Sequence, residues 1–307
     1  MTDIVADVEA DDHPEEGKGI LFATSAYAIW GVVPLYWRLL AGVGPIEITI
    51  HRVLWCAITV ALVTLARGRF WHVMSVVRTR HIIGGLVISS LLVTANWTIF
   101  IYCVSTHQLV EASLGYYMTP LVSIALGVAL LGEKVSRLRL AAIGLAGTAV
   151  IVQSFSLGHI PWIAPALALT FGFYGYMRKL IPVDALDGLT IETCLLFPLT
   201  LAIVMVLALE GTGAFPSSNL SRDALLVGSG PLTAVPLVLF AAGARRVRLT
   251  TLGFLQYFSP SITLLLATLV LGEAFTRLDL LTFACVWAAL VLVGVESQLA
   301  RSALRSS

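Results

Sequence analysis

Charge is scarce in this chain: 12% of its 307 residues are Asp, Glu, Lys or Arg, against 58% hydrophobic residues and a mean hydropathy of +0.92. A water-soluble domain of this length needs far more polar surface, so that class is excluded. The net charge of +1 gives no reason to expect nucleic acid as a partner. The four cysteines, Cys56, Cys103, Cys194 and Cys285, have no CxxC spacing and read as small buried hydrophobes, neither metal ligands nor disulfides. HExxH, GxSxG and P-loop motifs are all missing, and His51 is the one histidine of six inside an apolar run. These absences argue against an intramembrane enzyme and against ATP-driven work by this chain alone; neither cofactor nor metal is expected.

What the chain has instead is apolar runs of bilayer-spanning length, about 20 residues each. They fall at 18–40, 46–66, 82–103, 110–131, 138–154, 160–177, 190–209, 224–243, 251–271 and 278–296. Runs this long without alternating polarity satisfy their backbone as helices, not as barrel strands. The expected fold class is an all-α integral membrane protein with ten transmembrane helices, and the lipid bilayer is its first partner.

Basic residues orient it. Arg67, Arg69, Arg78, Arg80, Lys134, Arg137, Arg139, Arg178, Lys179, Arg245, Arg246 and Arg248 lie in connections on one side, joined by Lys18, Arg301 and Arg305 near the ends. Only Arg38, Arg222 and Arg277 are left for the other side, so both termini are expected in the cytoplasm of a multi-pass cell-membrane protein. Seven of the eighteen acidic residues precede position 17, marking 1–17 as a disordered acidic tail, not a signal peptide; 299–307 is a second cytoplasmic tail.

The chain also repeats itself. LGEKVSRL at 131–138 returns as LGEAFTRL at 271–278, each with a proline eleven residues earlier, Pro120 and Pro260. At the same offset of 140, Tyr117 meets Tyr257, Tyr36 meets Tyr176 and Arg38 meets Arg178; Ile46 and Glu47 match Ile191 and Glu192 at 145. Five apolar segments, an odd number, separate the copies, so the second enters the membrane inverted. Two five-helix units, 18–154 and 155–298, form an inverted repeat, the sequence signature of a transporter. Gly132 and Gly272 should stop a helix, and Ser136 and Thr276 should cap the next, Thr276 with Asp279 as a capping box. Glu133 and Glu273 read first as parts of tight hairpin turns and second as hinge or gate residues paired with a loop arginine.

With these motifs the chain resembles the drug/metabolite transporter superfamily, within its EamA-domain group. AYAIWGVVPLYWRLL at 26–40, EITIHRVLW at 47–55, ANW at 95–97 and LGFLQYFSP at 252–260 are similar to the RarD branch. The resemblance spans about 18–298 and implies a permease that moves a small organic solute by alternating access, most plainly as export. A non-transporting membrane scaffold or sensor is the competing class, in which the central polar residues would be dispensable.

Arg52 is the leading site candidate. It lies roughly 9 Å into the second helix at 1.5 Å per residue, where a charge normally faces a cavity or a partner. Its guanidinium suits a carboxylate or phosphate on a solute; the alternatives are an ion pair with Glu47, Glu111 or Glu192, or snorkelling to the interface. Trp30, Trp55, Trp97, Tyr117 and Tyr257, with the polar Asn96 and Gln256, are the other candidate cavity residues, whereas Tyr36, Trp37 and Tyr102 read as an interfacial aromatic belt. Glu47 and His51 share a helix face and, with Glu192 at the matching start of helix 7, are proton-coupling candidates. Pro34, Pro120 and Pro260 are hinge candidates because proline removes a helix hydrogen bond. GLAG at 144–147 reads as a packing surface, within the chain or in a homodimer.

Overall fold

The computed structural model describes residues 15–105, 109–155, 162–270 and scattered positions from 278 to 292, and among them there is no strand. The helices are α1 (Glu16–Leu39), α2 (Pro45–Ala66), α3 (Phe70–Val77), α4 (Arg80–Ser105), α5 (Leu109–Leu131), α6 (Arg137–Phe155), α7 (Ile163–Leu180), α8 (Ala185–Glu210), α9 (Leu220–Ala244), α10 (Leu249–Gln256) and α11 (Phe258–Leu269). Among the described residues five helices, α1, α2, α4, α8 and α9, are long and apolar enough to cross a membrane, and Gly115–Leu131 of α5 is a shorter apolar one. Leu39, Leu62, Leu209, Leu220 and Leu269 are each more than 60% exposed, an outer surface that suits lipid and not water. Residues 1–14 of the expected N-terminal tail, the expected C-terminal tail, Glu273, Thr276, Asp279 and most of the 278–296 span lie outside the described residues, whereas Glu16 and Gly17, expected in the tail, open α1, and Glu15 pairs with Lys18 and Arg246.

Three departures from the expected helices have local causes. First, α3 fills what read as a basic loop; Val73 and Val76 bury against Leu86, Ile181, Val183 and Ile191, and eight residues are too few to register as an apolar run. Second, the 251–271 span is divided at Tyr257 into α10 and α11. Pro260 has no N–H to offer the Gln256 carbonyl four residues earlier, and the Tyr257 N–H turns to the Phe254 carbonyl at 3.3 Å. Third, α8 begins at Ala185, because the Asp184 carboxylate caps it by accepting from the Leu186 N–H at 3.1 Å. Glu192 therefore stands two turns inside its helix, not at the start.

The first LGE turn behaves as its residues require. Gly132 takes φ +64°, a left-handed conformation that glycine adopts without penalty, and the Ser136 hydroxyl caps α6 by accepting from the Arg139 N–H at 3.1 Å. Glu133 belongs to this turn, its N–H donating to the Gly127 carbonyl at 3.0 Å, and its side chain reaches beyond it. Its carboxylate accepts from the Leu249 and Thr250 N–H groups at 2.6 and 2.8 Å, so it caps the first turn of α10, more than a hundred residues away. Glu133→Ala is expected to lower stability by about 1–2 kcal/mol, the usual value of a helix cap. A thermal midpoint equal to the parent's would remove this role.

Packing runs mainly between early and late helices. Helix α1 lies against α9, α10 and α11; α5 lies against α7 and α10; α4 lies against α7; and α2 lies against α8 and α9. Glycines permit the tight crossings: a Cβ on Gly253 would stand 2.7 Å from the Pro120 carbonyl oxygen, and one on Gly31 would stand 2.7 Å from Ile262. Gly144 and Gly147 of the GLAG segment have no described atom within 4 Å of a Cβ position.

Candidate functional site

Arg52 projects from α2 into a corner made by four helices. Its Nε donates to the Thr233 hydroxyl of α9 at 3.3 Å, and its guanidinium carbon lies over the Trp37 ring of α1 at 4.8 Å and over the Trp97 ring of α4 at 5.2 Å. Both indoles hold the cation through their ring quadrupoles. None of the ion pairs among the described residues includes Arg52, and two of its three expected carboxylate partners are occupied elsewhere; the Glu111 side chain lies outside the described residues. Trp37, expected in the interfacial belt, is thus a neighbour of the half-buried charge. Its depth suggested an interface, but its spacing of seven from Trp30 sets both on one face of α1. Nothing in the sequence singled out Thr233, one of many threonines in the apolar helices.

Trp30 stands two turns from Trp37, in an aromatic cluster with Tyr27, Phe171, Tyr174 and Phe240. Its ring lies 5.7 Å from Tyr27 and Phe240 and 5.8 Å from Phe171. Asn96 is turned to packing: its amide donates to the Leu167 carbonyl at 2.9 Å and the Thr170 hydroxyl at 3.0 Å, joining α4 to α7. Gln256 accepts from the Ser123 hydroxyl at 3.4 Å. The Tyr257 hydroxyl donates to the Tyr117 carbonyl at 3.4 Å, so two residues paired by the sequence repeat touch one another.

Glu47, His51 and Trp55 follow one another at spacings of four on α2, and all face the α8–α9 connection. Glu47 accepts from the Ala214 N–H and lies 3.9 Å from His51 Nε2, while the His51 and Trp55 rings pack on Phe215 at 5.4 and 5.6 Å. Glu192, 2% exposed, accepts from the Ser89 hydroxyl and from Arg178 Nη1 at 3.3 Å. Arg178, read from the sequence as a loop cation, is 1% exposed inside α7 and also donates to the Ala185 carbonyl at 3.3 Å. Close by, the fully buried Asp187 pairs with Arg69 and lies 3.3 Å from His72 of α3. The hydrogen bond to Asp187, and then its charge, raise the pKa of Arg69, which stands in the α2–α3 connection. Of the cysteines, Cys56 and Cys103 are buried, Cys194 is exposed and Cys285 is half-buried, and among the described residues none forms a disulfide.

Long apolar helices wrapped around a charged, tryptophan-walled corner define a polytopic membrane protein with an interior polar site. The comparisons give the class its family. A family model described as the EamA-like transporter family matches residues 17–155. An uncharacterized transporter of Vibrio cholerae serotype O1 is 42% identical over 295 residues, covering 96% of this chain and 97% of that protein. Protein RarD of Escherichia coli strain K12 is 39% identical over 286 residues, covering 93% and 97%. A solved crystal structure at 19% identity shares the fold, with a TM-score of 0.69 over 92% of this chain and 98% of that one. The chain belongs to the EamA-like transporter family, in the group that contains the RarD proteins, and is a multi-pass cell-membrane transporter of the drug/metabolite type.

Proposed function

We propose that the protein is a secondary carrier that exports a small organic solute, a metabolite or drug-like molecule, by alternating access through a central cavity. The observation that carries this reading is the Arg52 corner, built by Trp37, Arg52 and Trp97 from the first half and Thr233 from the second. A site divided between two halves is opened to one side or the other when they rock. The ten-helix, inverted 5+5 arrangement with cytoplasmic termini belongs to the same proposal. Supporting it, the packing is unchanged in pattern when the halves are exchanged: α5 on α7 corresponds to α10–α11 on α1, and α4 on α7 corresponds to α9 on α1. Pro34, Pro120 and Pro260 are where the halves would flex, and the Glu47–His51 pair and Glu192 are the residues proposed to couple transport to protons. We assign no chemical step to the chain.

The test is transport of an identified solute by Arg52→Ala and Trp97→Leu proteins reconstituted in vesicles. Each is expected to lose about tenfold or more in rate, the value of one charged hydrogen bond or a desolvated cation–π contact. Correctly inserted variants that transport as well as the parent would sink the carrier site and favour a scaffold.

A further inference from the structure

Arg52 is half-buried, and among the described residues no protein counter-charge pairs with it. Glu47 is engaged by the Ala214 N–H and His51, and Glu192 by Ser89 and Arg178. The nearest cation in sequence, Arg38, is exposed. Thr233 holds Nε, Trp37 and Trp97 lie against the guanidinium carbon, and no described group accepts from Nη1 or Nη2. Two indoles and a hydroxyl therefore fix the plane of the guanidinium and leave the edge that carries its two terminal nitrogens unused. That edge is the one that matches the two oxygens of a carboxylate.

We infer that the transported solute is an organic monoanion whose carboxylate seats on the Nη1/Nη2 edge of Arg52; this rests on the carrier reading above. One fixed positive charge balances one negative charge. A phosphate dianion would leave the corner net negative, and a neutral or cationic solute would leave the half-buried guanidinium without a counter-charge, a costly outcome in a low-dielectric interior. The uncharged indole walls suit an apolar or aromatic body attached to that carboxylate.

Full-length protein in phosphatidylcholine nanodiscs tests this with four probes: phenylacetate, the neutral phenylacetamide, the cationic phenethylamine and inorganic phosphate. Thermal midpoint and tryptophan fluorescence are the readouts, since Trp37 and Trp97 flank the site. Phenylacetate is expected to act at a concentration lower by about tenfold or more than phenylacetamide. Arg52→Gln should erase that preference and Arg52→Lys should weaken it, with each variant's own unfolding transition showing that it is folded. Equal responses to acid and amide, or a response only to phosphate, or none to any carboxylate, would overturn the inference. Loss of the phenylacetate response when phosphatidylglycerol is added would reassign Arg52 to lipid headgroups and overturn it too. Counterflow of labelled phenylacetate in vesicles separates the two readings: Arg52-dependent binding without counterflow keeps the carboxylate site and removes the carrier, whereas counterflow of a neutral solute unaffected by Arg52→Gln does the reverse.

Discussion

Glu192→Ala is expected to destabilise the protein by about 3–5 kcal/mol, because it leaves a guanidinium uncompensated in a buried site. Arg178 is 1% exposed and Glu192 2%, so neither can turn to water when its partner is removed. The cost should exceed that of an ordinary core truncation at α8, since Ser89 and Arg178 both lose an acceptor. The paired substitution Arg178→Met with Glu192→Leu restores most of the loss, since a well-packed apolar pair of similar volume replaces a buried ion pair at little penalty. Unfolding of the single and double variants in detergent measures both. A single variant within about 1 kcal/mol of the parent would mean that the pair is hydrated and not buried.

Gly230→Ala should lower transport by about tenfold or more while leaving the protein inserted. A methyl group at this position of α9 would stand 2.5 Å from the Trp55 carbonyl oxygen and 2.6 Å from the Trp55 Cβ on α2. The obstacle is main chain, which cannot swing aside, so the two helices must separate at a cost of about 1–3 kcal/mol. Thr233 lies one turn further along α9 and Arg52 one turn earlier on α2, so the separation falls on the Nε–hydroxyl contact of 3.3 Å. Transport should fall as far as it does for Arg52→Ala, with a smaller loss of thermal stability than Glu192→Ala. Parental transport by Gly230→Ala would show that the α2–α9 spacing does not set the position of Arg52.

Legibility in the sequence followed range. Helical segments, the Gly132 stop, the Ser136 cap and the inward charge of Arg52 are local matters of period, turn chemistry and hydropathy, and each was readable. Glu133 was not, because its partners are two backbone N–H groups on α10 that no side-chain pattern announces. Arg178 was hidden by position: a cation near the end of an apolar run looks like a loop residue until α8 starts early and brings Glu192 beside it. Trp37 was misplaced because depth along a helix says nothing about which neighbour a ring faces. Asn96 read correctly as a residue that cannot face lipid, yet its amide serves the α4–α7 contact. Two polar uses, lining and packing, carry the same signature in one dimension.

The company α1 keeps sets the timing of its assembly on the ribosome. Its neighbours α9, α10 and α11 are the last described helices to be made. At about 5–20 residues per second, some 10–40 s separate the synthesis of Leu39 from that of Ala244. Throughout that interval α1 has Arg52 of α2 and Phe171 of α7 to meet but lacks its broadest neighbours, and the Tyr36 hydroxyl has no Leu225 carbonyl to donate to until α9 is made. Quality-control proteases and insertion factors would meet the nascent protein in this state, so substitutions on the buried stripe of α1 should be felt in yield before they are felt in the finished carrier.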